Sequence, residues 1–264
     1  MKVNVVTPWN VLCGNANYAK GLVREQKKHT SLRVVEIDKP YTHNPLYFPR
    51  LAKKASKDCD VIHVHHGYGV FGKLGISGIF TPLFYLFLDR NKKIVTSLHD
   101  VYDLSGVRGV LRRWISSLMF SRSDVLHVHS KEAVRILRQE GVSKSKIFFS
   151  PLAVFQRPSE LKKTECKEKL GLGGKKVVLL LGFIQKNKGH DKAIQLLPTL
   201  PSDVVLLIAG HPTHPSYLTH LKYLATAVGV EDRILFKSPF KETELPTLLG
   251  AADAALLPYR TITQ

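Results

Sequence analysis

Short apolar runs alternate with amphipathic stretches along almost the whole chain, and this alternation is the strongest constraint on its fold. Runs of this length that are rich in Val, Ile and Leu are typical of buried strands, and the stretches between them predict crossover helices. Strands connected in this way form parallel sheets with right-handed crossovers and helices on both faces. The predicted strands are Lys2–Thr7, Leu32–Ile37, Val61–His65, Lys93–Leu98, Val125–His129, Lys146–Phe149, Lys176–Leu181, Val204–Ala209, Ile234–Lys237 and Ala254–Leu257.

The alternation is interrupted once, at Pro151–Lys163, a stretch with two prolines and no clear period. Such a stretch is typical of a linker, so the sequence predicts two Rossmann-like α/β domains, 1–155 and 156–264. The predicted helices are Asn17–Lys28, Leu46–Lys57, Gly69–Leu88, Val110–Phe120, Lys131–Glu140, Lys188–Leu197, Pro215–Val228 and Glu242–Leu249.

Composition narrows the class of protein. Apolar content of 44% and charged content of 23% are typical of a globular chain. The three cysteines form no CxxC pair and are too scattered for a disulfide framework. The first residues form a strand and lack the features of a signal peptide, so we expect a cytoplasmic protein.

The formal net charge of +18 is concentrated in the first part of the chain, where residues 1–158 hold 25 Lys and Arg against 11 Asp and Glu. Such a surface suits anionic partners, which include phospholipid headgroups and phosphorylated acceptors. Nucleic acid is disfavoured because the chain has no arginine-rich run, no RNP-like aromatic pair and no zinc-finger spacing.

The segment Lys176–Asp191 predicts a phosphate site in the second domain. A buried strand ends at Gly182, a short loop carries Lys186 and Lys188, and a helical pattern follows Gly189. Lysines beside a helix N-terminus attract negative charge, and a phosphate or sugar diphosphate fits such a loop. The glycine spacing matches neither the dinucleotide fingerprint nor a P-loop. An ordinary strand, loop and helix with solvated lysines is the alternative interpretation.

Polar side chains follow the strands of the first domain, where ligands bind in folds of this class. A glycine loop after the first strand begins at Gly14, His99-Asp100 ends the fourth strand, and further histidines lie at His63, His65, His66, His127 and His129. A metal site is disfavoured because no Cys or carboxylate joins the histidine pairs at ligand spacing. Neutral histidines around a cleft suit hydrogen bonds to sugar hydroxyls and phosphates, and His99 is the leading candidate.

Six segments, in this order and spacing, resemble the retaining GT-B glycosyltransferases of glycosyltransferase family 4, and the resemblance runs from Met1 to Gln264. The segments are Gly14–Asn17, Asp60–His65, Thr96–Asp100, Gly182–Gly189, Gly229–Phe236 and Ala252–Arg260. The resemblance implies two Rossmann-like domains that face a cleft. It also implies metal-independent transfer of a sugar, with retention, from a nucleotide-sugar to a glycan, lipid-linked or other acceptor.

The same resemblance assigns roles to residues and implies no cofactor, because the nucleotide-sugar is the substrate. His99 and Lys188 are the expected catalytic residues. The expected donor and phosphate contacts are Gly14, Gly182, Lys186, Lys188 and Gly189, and the expected acceptor-side residues are Asn15, Asn17, His65, His66 and Asp100.

Two departures from the family pattern stand out. Phe183, Ile184 and Gln185 follow Gly182 where the family usually has an Arg, which leaves Lys186 as the nearby substitute. The family also continues beyond the position of Gln264 into a helix with two Glu residues that hold the donor. We therefore expect an incomplete second domain and little sugar transfer from these 264 residues.

Two other functions are consistent with the sequence. A GT-B sugar-nucleotide epimerase shares the architecture, and a catalytically silent binding protein could dock on anionic membranes. The segment Val107–Arg122 is the expected membrane contact, because arginines flank an apolar helical face. An ordinary amphipathic helix that covers the sheet is the alternative interpretation of this segment.

Overall fold

The computed structural model describes residues 1–11, 13–38, 42, 44–71, 78–101, 106–153 and 160–260. Contacts divide the chain into two units, Met1–Phe155 and Gln156–Ile262. Both units are α/β with parallel sheets, as the sequence predicts. The central part of the expected linker, residues 154–159, lies outside the described residues. Among the described helices, none is long and apolar enough to cross a membrane.

The first unit is built on a six-stranded parallel sheet with the order β2-β1-β3-β4-β5-β6. Its strands are β1 Lys2–Thr7, β2 Ser31–Glu36, β3 Val61–His66, β4 Lys93–Leu98, β5 Val125–Val128 and β6 Ile147–Phe149. Its helices are α1 Gly14–Gln26, α2 Tyr47–Ala55, α3 Thr81–Leu86, α4 Gly106–Arg122 and α5 Lys131–Gln139.

The second unit has a four-stranded parallel sheet with the order β10-β7-β8-β9. Its strands are β7 Lys176–Leu181, β8 Val204–Ala209, β9 Ile234–Lys237 and β10 Ala254–Ala255. Its helices are α6 Lys163–Lys169, α7 His190–Leu196, α8 Pro215–Ala227 and α9 Leu245–Ala251. Strand β8 is buried along its whole length, as expected for a central strand of a covered parallel sheet.

The two faces of the first sheet differ in chemistry. Ile62 and Val64 point to one face, where residues from α2 to α5 complete the main apolar core. His63 and His65 alternate with them and lie on the other face, because successive side chains of a strand point in opposite directions. That second face is covered by α1, whose Val23 packs on the valines of β1 in a small apolar cluster. The pattern of β3 therefore places a polar row on one side of the sheet.

Several predicted elements differ in extent from the structure, and one helix was missed. Within the described residues, the segment predicted as a helix at Gly69–Leu88 contains a 3-10 turn at Tyr68–Phe71 and the short helix α3, whose first turn contains Pro82. Residues 72–77 of that prediction lie outside the described residues. Proline fits a helix start but not a helix interior, so it marks a beginning here. The strand predicted at Ala254–Leu257 ends at Ala255. Helix α6 was not predicted, because it begins at the last residue of the assumed linker.

Asp253 ties three elements of the second unit together. Its carboxylate accepts hydrogen bonds from the Val177 amide at 2.8 Å, from Lys167 at 2.6 Å and from Lys163 at 3.1 Å. The hydrogen bond from Lys167 is the largest of the effects that lower the pKa of Asp253 to about 2, followed by that from the Val177 amide. The carboxylate thus holds the start of β10 against β7 and α6.

Replacing Asp253 with Asn should lower the free energy of unfolding of the second unit by about 1 kcal/mol at pH 7, a value already reduced for partial solvent exposure. The native carboxylate has the lower pKa, so its contribution is present above pH 4 and fades as the pH falls toward 2. Urea unfolding followed by the NMR amide signals of β7 measures the effect.

The matched control is Asp203→Asn, because Asp203 makes an exposed ion pair with Lys176 at 2.9 Å on the same sheet. Its loss should leave the free energy of unfolding almost unchanged, because exposed ion pairs contribute little. Equal effects of the two substitutions would contradict a special role for Asp253.

Candidate functional site

Histidines from three neighbouring strands form one cluster in the first unit. The register pairs His65 of β3 with Ser97 of β4, and Ser97 with His127 of β5. His63 lies two residues before His65, on the same face of β3. His129 lies two residues after His127, just beyond the end of β5. Because these strands are parallel and adjacent, their polar side chains meet near the carboxyl end of the sheet.

A chain of hydrogen bonds crosses the cluster. Ser97 Oγ lies 2.9 Å from both His63 Nε2 and His127 Nδ1. His127 Nε2 lies 2.7 Å from Ser150 Oγ, and His129 Nδ1 donates to the Ser150 carbonyl at 3.2 Å. These bonds hold the imidazole rings in defined orientations.

The remaining rings form a column beside this chain. His65 and His99 stack with centroids 5.3 Å apart at 18°, and His99 and His129 stack at 5.4 Å and 24°. His65 Nδ1 and His99 Nε2 lie 3.0 Å apart and share a hydrogen bond. Tyr18 of α1 meets His99 and His129 with its ring nearly perpendicular to theirs. The predicted residues His65 and His99 are therefore brought together.

Burial keeps the cluster uncharged. It is the main reason that the pKa of His63 and of His127 falls to about 4 and that of His99 to about 3. The pKa of fully buried His65 is also well below its usual value, for the same reason. Neutral imidazoles can each donate and accept a hydrogen bond, which suits hydroxyl groups. Among the described residues, no group of three His, Cys, Asp or Glu side chains is arranged to hold a metal ion.

Other predicted residues of the first unit separate into two places. Asn15 and Asp100 approach each other over Gly67, where an added methyl group would lie 2.8 Å from Asn15 Nδ2 and 3.1 Å from Asp100 Oδ2. His66 instead lies on the opposite face of β3, buried in the core and stacked on Phe71. Gly67 was missed because its importance comes from neighbours that are distant in sequence.

Gly14 and Asn17 belong to the first turn of α1, and the Asn17 amide donates to the Cys13 carbonyl at 3.1 Å. A methyl group on Gly14 would meet nothing within 4 Å, so the space above this turn is open. The turn leaves room for a ligand to approach the backbone.

The loop after β7 is shaped by two close backbone contacts and by two glycines with positive φ in the second unit. Gly182 has a φ of 126°, and a methyl group on Gly210 after β8 would lie 1.7 Å from the Gly182 carbonyl oxygen. Gly189 has a φ of 72°, and a methyl group there would lie 2.0 Å from the Pro258 carbonyl oxygen. Side chains at Gly189 and Gly210 would force the backbone apart, whereas a side chain at Gly182 would be strained by its φ.

The two lysines of this loop lie in a 3-10 turn, Lys186–Lys188, before the seven-residue helix α7. Lys188 Nζ lies 3.8 Å from the centre of the Tyr259 ring, a cation–π distance. Lys186 instead lines a cavity of about 600 Å³. The rest of this lining is polar or aromatic: Gln185, Asn187, Thr213, His214, Ser216, Tyr217 and His220.

The segment after β10 covers the loop. The Arg260 amide donates to the Asn187 carbonyl at 2.8 Å, and the Arg260 guanidinium pairs with Asp191 of α7. Together with Pro258 and Tyr259, these contacts hold Lys186–Gly189 in place from one side. The predicted phosphate loop is thus an ordered cationic turn rather than the first turn of a helix.

Comparison with known families assigns the chain. The model for Glycosyltransferase Family 4 matches residues 12–154, and the model for Glycosyl transferases group 1 matches residues 162–261. The chain belongs to the family 4 glycosyltransferases. Both matches describe glycosyltransferases, so they do not favour the epimerase or the silent binding protein.

The curated relatives align with only part of this chain. A D-inositol 3-phosphate glycosyltransferase of Xylanimonas cellulosilytica is 28% identical over 212 residues, which are 75% of this chain and 50% of that protein. A GDP-mannose-dependent alpha-(1-6)-phosphatidylinositol monomannoside mannosyltransferase of Mycolicibacterium smegmatis is 32% identical over 99 residues, 36% of this chain and 25% of that protein. The chain thus spans at most about half the length of these relatives.

Solved structures support the GT-B fold. Anabaena Alr3699/HepE, crystallised with UDP and glucose, superposes with a TM-score of 0.76 at 15% identity, over 100% of this chain and 75% of that one. WaaG, a glycosyltransferase involved in lipopolysaccharide biosynthesis, gives a TM-score of 0.68 at 14% identity, over 100% and 76%.

The histidine cluster predicts that the first unit unfolds at mildly acidic pH. Unfolded histidines protonate near pH 6.5, whereas His63 and His127 resist protonation down to about pH 4 and His99 to about pH 3. The unfolded state binds more protons in this window, so stability falls as the pH drops below 6.5. Trp9 and Trp114 both lie in the first unit, so tryptophan fluorescence during an acid titration reports on that unit.

The substitution His127→Gln removes one of these protonation sites while keeping an amide for hydrogen bonding, and it should move the acid midpoint to lower pH. In the second unit burial also lowers the pKa of His190, and the amide signals of β7 follow that unit separately. Loss of the β7 signals before the fluorescence change would contradict the prediction.

Proposed function

We propose that the chain carries the donor and acceptor chemistry of a glycosyltransferase that uses a nucleotide-sugar. The observation that carries this proposal is the loop from Gly182 to Gly189, which combines close backbone packing with two lysines. Membership of family 4 supports it, and so do similar proteins, which include a GDP-mannose-dependent enzyme and a protein crystallised with UDP-glucose.

In this proposal the donor diphosphate lies at the loop of the second unit. Negative charge builds up on a diphosphate as it leaves the sugar, so cations held in place beforehand lower the barrier. Lys188 is positioned by the Tyr259 ring, and Tyr259 is anchored by the contacts of Pro258 and Arg260. The cavity beside Lys186 provides room for another part of the donor.

In this proposal the acceptor binds at the neutral cluster of the first unit. Uncharged imidazoles around His99 can bind hydroxyl groups, while the amide and carboxylate of Asn15 and Asp100 add polar contacts at Gly67. Retention of configuration and independence from metal are part of the proposal. The family resemblance supports retention, and the lysines offer the charge that a metal supplies elsewhere.

Lys188→Ala should weaken the binding of UDP or GDP about 10- to 100-fold, because a charge-assisted hydrogen bond to a phosphate contributes about 1.5–3 kcal/mol. Isothermal titration of the chain with both nucleotides measures this. Lys186→Ala should have a smaller effect, since among the described residues no aromatic ring holds the Lys186 ammonium by a cation–π contact as Tyr259 holds that of Lys188.

Lys192→Ala is the matched control, because Lys192 is an exposed lysine on α7 that lines neither the loop nor the cavity. The affinity of Lys192→Ala for UDP and GDP should equal that of the parent chain. Parent-like affinity in Lys188→Ala would remove Lys188 from the donor site.

We also propose that α4 touches anionic membranes. Val110 and Trp114 are 59% and 70% exposed and lie one helical turn apart, beside the exposed Arg113. An exposed aromatic with a cationic neighbour is typical of interfacial contact, and the net charge of +18 favours an anionic surface. The side chains of Arg108 and Arg112 lie outside the described residues.

Trp114→Ala should reduce sedimentation of the chain with phosphatidylglycerol vesicles at low salt, because the indole would no longer enter the interface. Tyr223→Ala is the control, since Tyr223 is 75% exposed on α8 of the second unit. Binding that is equally weak to anionic and neutral vesicles would reject membrane contact.

A further inference from the structure

We propose that His65 is a positioning residue that fixes the tautomer of His99. In this arrangement His65 donates from Nδ1 to His99 Nε2, and His99 carries its own proton on Nδ1. His99 therefore offers an N–H donor to an acceptor oxygen of the substrate and does not act as a general base. The role of His99 toward a substrate rests on the proposed function, but the assignment of its tautomer does not.

The two rings are held as a pair. His65 Nδ1 and His99 Nε2 are 3.0 Å apart, and the rings stack at 18°. His65 is fully buried, whereas His99 keeps part of its surface exposed. Tyr18 and His129 pack on His99 from other sides and restrict rotation of its ring.

The unpaired nitrogen of His65 decides the direction of the shared hydrogen bond. His65 Nε2 is buried and has no hydrogen-bond partner among the described residues. If His99 donated, His65 would carry its proton on Nε2, and a buried N–H would be left without an acceptor. If His65 donates, only a lone pair is left unpaired, and proteins tolerate unpaired acceptors better than orphaned N–H donors.

His129 provides an internal precedent. Its Nδ1 faces the Ser150 carbonyl at 3.2 Å, and a carbonyl can only accept, so Nδ1 carries the proton. The Nε2 atom of His129 is then an unpaired lone pair, and it too is buried without a partner. Two histidines of the same column thus show the same pattern, with a donating Nδ1 and an unpaired Nε2.

The consequence concerns what His99 recognises. With Nε2 occupied by His65, Nδ1 is the ring nitrogen left for a ligand, and it carries a hydrogen. It therefore pairs with an oxygen lone pair, whether of a sugar hydroxyl or of a phosphate. Desolvation lowers the pKa of His99 to about 3, which agrees with a neutral donor at neutral pH.

The test is the tautomer of His99 in the 264-residue chain, read from long-range ¹⁵N–¹H NMR spectra of histidine-labelled protein. The signal that disappears in His99→Gln is assigned to His99. We expect the Nδ1–H pattern in the parent. An Nε2–H pattern there would overturn the proposal, and this measurement needs no variant of His65 and no enzymatic activity.

Two substitutions test the role of His65. His65→Asn keeps an N–H donor near the position of Nδ1 and should preserve the tautomer. His65→Leu removes the donor, and because His99 is partly exposed, water can then pair with either ring nitrogen, so the Nε2–H form should appear beside the Nδ1–H form. His66→Leu is the control, because His66 is equally buried on the same strand but faces the core. It should leave the His99 signal unchanged. A His99 signal in His65→Leu that still shows the Nδ1–H form alone would overturn the proposal.

Transfer assays add the link to function. If the chain transfers sugar, His65→Leu should lower kcat/KM about tenfold, as expected for one lost hydrogen bond, and His65→Asn should restore most of it. Loss of activity in His65→Asn with an intact tautomer would reject the functional role of the tautomer. Failure of the parent chain to bind UDP or GDP would contradict the proposed function, whereas the NMR result would still decide the tautomer.

Discussion

The alternation of side chains along β3 is the constraint on which the first unit depends. Ile62 and Val64 complete the core on one face, so His63 and His65 must lie on the other. A shift of one residue in this strand would bury the histidines in the core and expose the aliphatic residues. The main core and the polar cluster are therefore stabilised by the same register, and neither can form without the other.

Burial gives the histidine cluster its chemical character at the expense of stability in acid. Desolvation holds the rings neutral, and the hydrogen bonds through Ser97 and Ser150 orient them without adding charge. A carboxylate in the same position would raise the pKa of the histidines and convert donors and acceptors into cations. The serines of this chain instead link the rings while leaving them uncharged.

Local patterns in the sequence were sufficient to predict most of the fold. Strands Lys2–Thr7, Lys93–Leu98 and Val204–Ala209 have the predicted bounds because each is a short segment rich in β-branched and aliphatic residues. The candidate site was only partly predictable, because its partners come from register and packing. Nothing near His99 in sequence indicates His65 as its partner, and nothing near Gly189 indicates the approach of Pro258. The different environments of Lys186 and Lys188 also required the tertiary structure.

The two candidate sites differ in charge, and this difference bears on specificity. The loop of the second unit presents ammonium groups, which attract a diphosphate strongly. The cluster of the first unit is neutral, although this unit carries most of the excess positive charge of the chain. If its histidines were charged, they would also attract phosphates and compete with the loop for the donor. Under the proposed function, keeping them neutral restricts that site to weaker hydrogen bonds, which suit hydroxyl groups, so donor phosphates would bind preferentially at the lysines.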